Sequence, residues 1–174
     1  MRILVTSSTF PTGRLDGSHP RFVYDLADAL AEHAEVFALA PHEPGAARSE
    51  RMGRVHVERF RYWRPEHLQR LTPNMREQMR ASWLAKLQVP SFLAAETAAV
   101  RSLVRRFDID VVNAHWMVPQ GLTAALSRGT RRPRFRLALH VHAADVYFLR
   151  KVPLGAAIAR YVTARTDVAF ADGS

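Results

Sequence analysis

Three stretches decide the fold class: Arg2-Ile3-Leu4-Val5-Thr6-Ser7, Phe22-Val23-Tyr24-Asp25-Leu26-Ala27-Asp28-Ala29-Leu30, and Glu35-Val36-Phe37-Ala38-Leu39-Ala40. The first is a short apolar run, as expected of a strand covered on both faces. Turn formers crowd the segment that follows, with Pro11, Gly13, Asp16 and Gly17 among residues 9–19. Pro20 suits the first position of a helix. Phe22, Leu26, Ala29 and Leu30 then recur at helical spacing, predicting one apolar face on a helix that ends near His33. The third stretch is a second strand stopped by Pro41. Strand, helix and strand in this order form a βαβ unit, and hence a parallel sheet.

The same alternation continues outward. Residues 42–53 read as a polar loop, and residues 54–62 as a strand whose apolar phase slips between Val57 and Phe60. A bulge or a strand end near Arg59 would account for the slip. Residues 62–90 interleave aromatic and basic side chains, including Tyr62, Trp63, Arg64, His67 and Arg70, ahead of a helix near 74–87. The reading of this segment that needs no ligand is a solvated helix face, with Trp63 and Trp83 partly in the core. Pro90-Ser91 opens a further helix, with Val100, Leu103, Val104 and Phe107 on one face. Strands at 110–114, 135–141 and 167–171 enclose helices at 119–128 and from Pro153 onward, with loops at 129–134 and 142–151. Phe135, Leu137, Leu139 and Val141 fall on one side of their strand, and Arg136, Ala138 and His140 on the other. The expected architecture is a doubly wound α/β sandwich with a Rossmann-like parallel sheet. Asp172-Gly173-Ser174 reads as a loop entering a further helix, so a chain cut from a longer protein is expected.

Composition narrows the function. The 174 residues contain no cysteine, which excludes a disulfide framework, a thiol nucleophile and thiolate zinc sites. No apolar stretch approaches the ~20 residues that span a bilayer. The first residues turn polar too soon for a secretory signal, so a cytoplasmic location is expected. The net charge of +9 is unevenly spread: −3 over residues 1–47, +8 over 48–106 and +4 over 107–174. A phosphate-bearing partner or an anionic surface is the implied complement.

In an open parallel sheet ligands sit beyond the carboxyl ends of the strands. The loops there carry Asp16, Gly17, Ser18, His19, Tyr62, Arg64, His115, Trp116, His142 and Asp145. No G-x-G-x-x-G, no P-loop and no G-x-S-x-G elbow occurs, which demotes nicotinamide dehydrogenases, P-loop NTPases and α/β-hydrolases. Asp16-Gly17 forms either a plain turn or an approach to an anion at the following helix N-terminus. His142 and Asp145 stand three apart, as an imidazole and an orienting carboxylate or as a simple loop brace. His115, His140, His142 and Asp145 together also admit a metal-dependent hydrolase. The basic middle third admits a non-catalytic module that binds nucleic acid or another polyanion, although no nucleic-acid-binding signature accompanies it.

Taken together, several motifs resemble the N-terminal half of family 4 (group 1) GT-B glycosyltransferases. Val5-Thr6-Ser7-Ser8-Thr9-Phe10-Pro11, Asp16-Gly17-Ser18 and the Phe22–Leu30 segment resemble that family's strand, "FPP…GG" loop and "F-V-x-x-L-A-x-x-L" helix. Glu35-Val36-Phe37-Ala38-Leu39-Ala40-Pro41 resembles its second strand. Asp110-Val111-Val112-Asn113-Ala114-His115-Trp116 is similar to "P-D-V-V-H-A-H-W", and His142-Ala143-Ala144-Asp145-Val146-Tyr147 to "H-G-x-D-V-Y". Asp16, Asn113 and Ala143 replace a glycine, a histidine and a glycine of the family pattern.

The resemblance implies a retaining hexosyltransferase that moves a sugar from a nucleotide-diphosphate sugar to a lipid-linked, glycan or small-molecule acceptor. It implies no catalytic metal and no nucleic-acid partner. Residues 1–174 would form the acceptor-side domain, inactive without the donor-binding half. His142 would act at the transferred sugar with Asp145 beside it, and Asp16, Gly17 and Ser18 would approach donor phosphates or acceptor. His115, Trp116, Tyr62 and Arg64 would line the acceptor pocket. Separately from the resemblance, the basic segment carries its own expectation: Arg59, Arg61, Arg64 and their neighbours would favour an anionic acceptor or a peripheral contact with an anionic lipid surface of a membrane.

Overall fold

A computed structural model of the chain describes residues 1–13, 19–72, 74–129 and 134–171. Its centre is a seven-stranded sheet. The strands are β1 (Arg2–Thr6), β2 (Glu35–Pro41), β3 (Ser49–Met52), β4 (Val55–Phe60), β5 (Val111–His115), β6 (Arg136–Val141) and β7 (Val168–Ala171). They lie in the order β3-β4-β2-β1-β5-β6-β7, and every pair is parallel except β3 with β4. Leaving out β3, the order is that of the doubly wound nucleotide-binding sheet, with its switch point between β1 and β5.

Alternation along the strands divides the core in two. On one face Ile3, Val5, Val36, Ala38, Ala40, Val55 and Val57 pack under α1 (Phe22–Leu30) through Val23, Tyr24 and Ala27. On the other, Leu4, Phe37, Leu39, Val112, Leu137 and Leu139 meet α3 (Trp83–Phe107), α4 (Leu122–Arg128) and α6 (Gly155–Thr163). Such fully buried side chains contribute about 1.5–3 kcal/mol each. The remaining helices are α2 (Met75–Ala81) and α5 (Ala143–Leu149).

The βαβ reading and the parallel strands hold, while several local expectations are corrected. The buried face of α1 is Val23, Tyr24 and Ala27, and Phe22 stands 45% exposed beside the site described below. Residues 49–52, expected in a loop, form the antiparallel edge strand β3. It joins β4 through a two-residue turn with Gly53 at φ 58°. The phase slip in β4 arises because Arg59 itself is buried in line with Val55 and Val57.

Pro90 lies inside α3 and opens no helix of its own. It is on the solvent face, where water can take the carbonyl that its missing N–H leaves unbonded. Trp83, expected partly in the core, is exposed, whereas Trp63 packs against the core. The stretch read as a loop after β6 contains α5.

Candidate functional site

The site lies where the winding of the sheet reverses, beyond the carboxyl ends of β1, β5 and β6. After β1 the backbone turns at once: Ser7 Oγ accepts from the Thr9 amide at 3.1 Å, and the Ser7 amide donates to the Leu39 carbonyl at 3.2 Å. After β5 comes Trp116, at φ 73°, a left-handed conformation that non-glycine residues adopt at a cost of about 1–3 kcal/mol. After β6 comes His142, the residue that precedes the first turn of α5.

Strand register gathers aromatic rings at this rim. His115 is opposite His140, and His140 is opposite Phe170, so all three side chains leave the same face of the sheet. The His115 and His140 rings stack at 4.4 Å, and those of His140 and Phe170 at 4.7 Å. Above them Trp116 and His142 approach to 4.9 Å. Phe22, at the start of α1, meets His115, Trp116 and His142 at 6.2, 5.8 and 5.8 Å. Three strand ends, the two loops after β5 and β6 and one helix end thus build a half-open aromatic floor with an imidazole at its edge. Among the described residues no group of three or more His, Asp or Glu side chains is placed to hold a metal ion.

Asp145 lies beneath this floor, 5% exposed. Its Oδ2 accepts from the Met117 amide at 2.9 Å and from the His142 amide at 3.2 Å. One carboxylate oxygen therefore joins the loops after β5 and β6 and holds the backbone amide of His142. Burial pushes the Asp145 carboxyl above the usual range, and the two amide bonds oppose that shift.

A second carboxyl supports the site from behind. Glu96 is fully buried in α3, close to Gln120 and Thr123. Hydrogen-bond matching fixes the Gln120 amide with Nε2 donating to the His115 carbonyl at 3.1 Å and Oε1 accepting from the Ser8 amide at 3.0 Å. That orientation turns the Gln120 oxygen toward Glu96 at 3.3 Å. An oxygen at this distance in a dry interior disfavours a negative charge on the Glu96 carboxyl and is compatible with its protonated form. Burial drives its pKa to about 8, in agreement. Glu96 and Gln120 thereby link α3 to the loops after β1 and β5. Sequence periodicity gave no sign of either residue, because a polar residue within a helix ordinarily faces water.

An apolar cavity of about 330 Å³ opens beside the floor, with Trp116 and Asp145 in its wall. Tyr62 and Arg64, expected alongside His115 and Trp116, instead line a separate, more open cleft of about 670 Å³ with Arg48, Arg61 and Trp63. The Tyr62 ring is buried against Phe92 at 5.1 Å, and its hydroxyl accepts from the Leu71 amide at 3.0 Å. Burial raises its phenol pKa. Arg59 is committed internally, to Glu50 at 2.5 Å and to the carbonyls of Ala47 and Pro11 at 2.8 Å each, and Arg61 pairs with Glu66 at 2.6 Å. Asp16, Gly17 and Ser18 lie outside the described residues. No described helix is long and apolar enough to cross a membrane. The chain matches no protein-family model and no curated protein.

Proposed function

We propose that the chain is the acceptor-side half of a retaining, nucleotide-sugar-dependent glycosyltransferase of the GT-B type, similar to family 4. The observation that carries this reading is the convergence of His115, Trp116, His142 and Asp145 at the switch point of a doubly wound sheet. These residues come from two of the motifs that resemble the family, which are distant in sequence, and Phe22 from a third joins them.

In this reading His142 stands against the transferred sugar and hydrogen-bonds at the reacting centre. Trp116 and Phe22 offer apolar faces to a sugar ring or acceptor. Asp145 is a positioning residue: it fixes the His142 backbone and the Trp116 loop without itself reaching substrate. Departure of the nucleoside diphosphate builds negative charge, which oriented amide N–H groups at the N-terminus of α1 would stabilise. The donor-binding half is a requirement of this reading.

The test is transfer from a panel of nucleotide sugars by the product of the gene's full reading frame, read as nucleoside-diphosphate release. Release dependent on His142 is expected from the full protein, and none from residues 1–174. Transfer by residues 1–174 alone, or no turnover of any nucleotide sugar by the full protein, would overturn the reading.

A further inference from the structure

The cavity beside the aromatic floor has two unlike ends. One end holds Ser8, Thr9 and Asp145, next to Trp116. The body is lined chiefly by Met75, Met79, Val89, Phe92, Val118 and Phe148, with Asn74, Arg76 and Glu77 also contributing on the α2 side. A volume of about 330 Å³ is at the small end of ligand sites. It suits a ring or a short chain and is too small for a segment of protein.

The helix that roofs the cavity supplies an independent observation. None of the seven residues of α2 is buried, although Met75 and Met79 turn toward the core. A helix this short is marginal on its own propensity and depends on packing its apolar side. Here that side faces the cavity. Two methionines form the roof, the side chain best able to repack around occupants of different shape.

We infer that the cavity binds the apolar portion of an amphiphilic acceptor, an alkyl or aryl group, with the acceptor's hydroxyl end directed to Ser8 and Thr9. The assignment of the occupant as acceptor rests on the glycosyltransferase reading, whereas the apolar ligand class rests on the cavity alone. Alternation of polar end and apolar body sets the orientation: the hydroxyl lies on the side of Trp116 and His142, and the apolar group runs under α2.

The experiment titrates residues 1–174 with linear alcohols from 1-butanol to 1-octanol, following amide chemical shifts by NMR. Saturable binding is expected, with shifts centred on Met75, Met79, Val89 and Phe148. Affinity should rise about fourfold per methylene until the cavity is full, the gain from burying one CH2 group. Met79→Trp fills the cavity from its roof and should abolish binding. Met79→Ala enlarges it and should move the preference to a longer alcohol, which decides the matter should the tryptophan variant fail to fold. Non-saturable shifts, shifts located elsewhere, or a chain-length preference unmoved by Met79→Ala would overturn the inference. Failure of the glycosyltransferase reading is a separate result: no sugar transfer by the full-length protein while alcohol binding to the cavity persists.

Discussion

Glu96 and Gln120 meet at 3.3 Å inside the protein, where burial favours the protonated form of the carboxyl. The group ordinarily titrates near 4.5 and here is driven to about 8. Between those values the folded chain keeps a proton that the unfolded chain has lost, so stability falls as pH rises, by up to ~1.4 kcal/mol per unit from this one group. Below 4.5 both states are protonated and the effect vanishes. Glu96→Gln reproduces the donor without the charge. Urea denaturation should find the variant close to wild type at pH 5 and more stable by a few kcal/mol at pH 8, and a difference independent of pH would refute the protonated form of Glu96.

Asp145 is expected to act chiefly through the backbone amides of Met117 and His142. Asp145→Ala orphans both at a buried position and should cost about 2–4 kcal/mol in chemical denaturation. Asp145→Asn keeps an acceptor oxygen in place and should recover most of that loss. Equal destabilisation by the two variants would argue that the negative charge, and not the acceptor geometry, is what matters.

His142 should behave in the opposite way. Its ring is half-buried and contacts Trp116 and Phe22 edgewise or tilted, so His142→Ala should lower stability by only about 1 kcal/mol. In the full-length protein the same change should reduce kcat by ~100-fold or more, on the scale of a lost proton-transfer or hydrogen-bonding group at the reacting centre. Unchanged kcat would remove His142 from the chemistry.

Arg59 and Arg54 separate buried from exposed charge. The Arg59 side chain is 1% exposed, so Arg59→Met, which leaves Glu50 and two carbonyls without their donor, should cost about 3–5 kcal/mol with little salt dependence. Arg59→Lys should not restore this, because an ammonium cannot reach three acceptors in the fork that the guanidinium spans. Arg54→Met, which removes the surface pairs with Asp28 and Glu32, should show a weak effect that disappears in salt. Thermal unfolding of the three variants at low and high ionic strength provides the comparison.

The sheet was legible because its strands are apolar runs separated by turn chemistry, and the carboxyl-end rule then pointed to His115, Trp116, His142 and Asp145. What escaped depended on three-dimensional context. Phe22 occupies an apolar helical position but faces the site, a difference of one residue in helical phase. Strand β3 is polar, Ser49-Glu50-Arg51-Met52, and exists through pairing with β4. Glu96 and Gln120 look like surface residues until the helix that carries Glu96 is packed on the sheet. Arg59 disguised itself as a break in alternation because its partners lie 48 and nine residues away.

That arginine also bears on how the first loop can change over time. Its guanidinium holds the Pro11 carbonyl, and on the far side His19 pairs with Glu43 at 3.2 Å. Pro11 and His19 are thereby anchored to β4 and to the segment that follows β2. Closing a longer connection costs only about 0.6 kcal/mol per doubling of length. Changes of chain length between these two anchors therefore need not displace Trp116, His142 or Asp145.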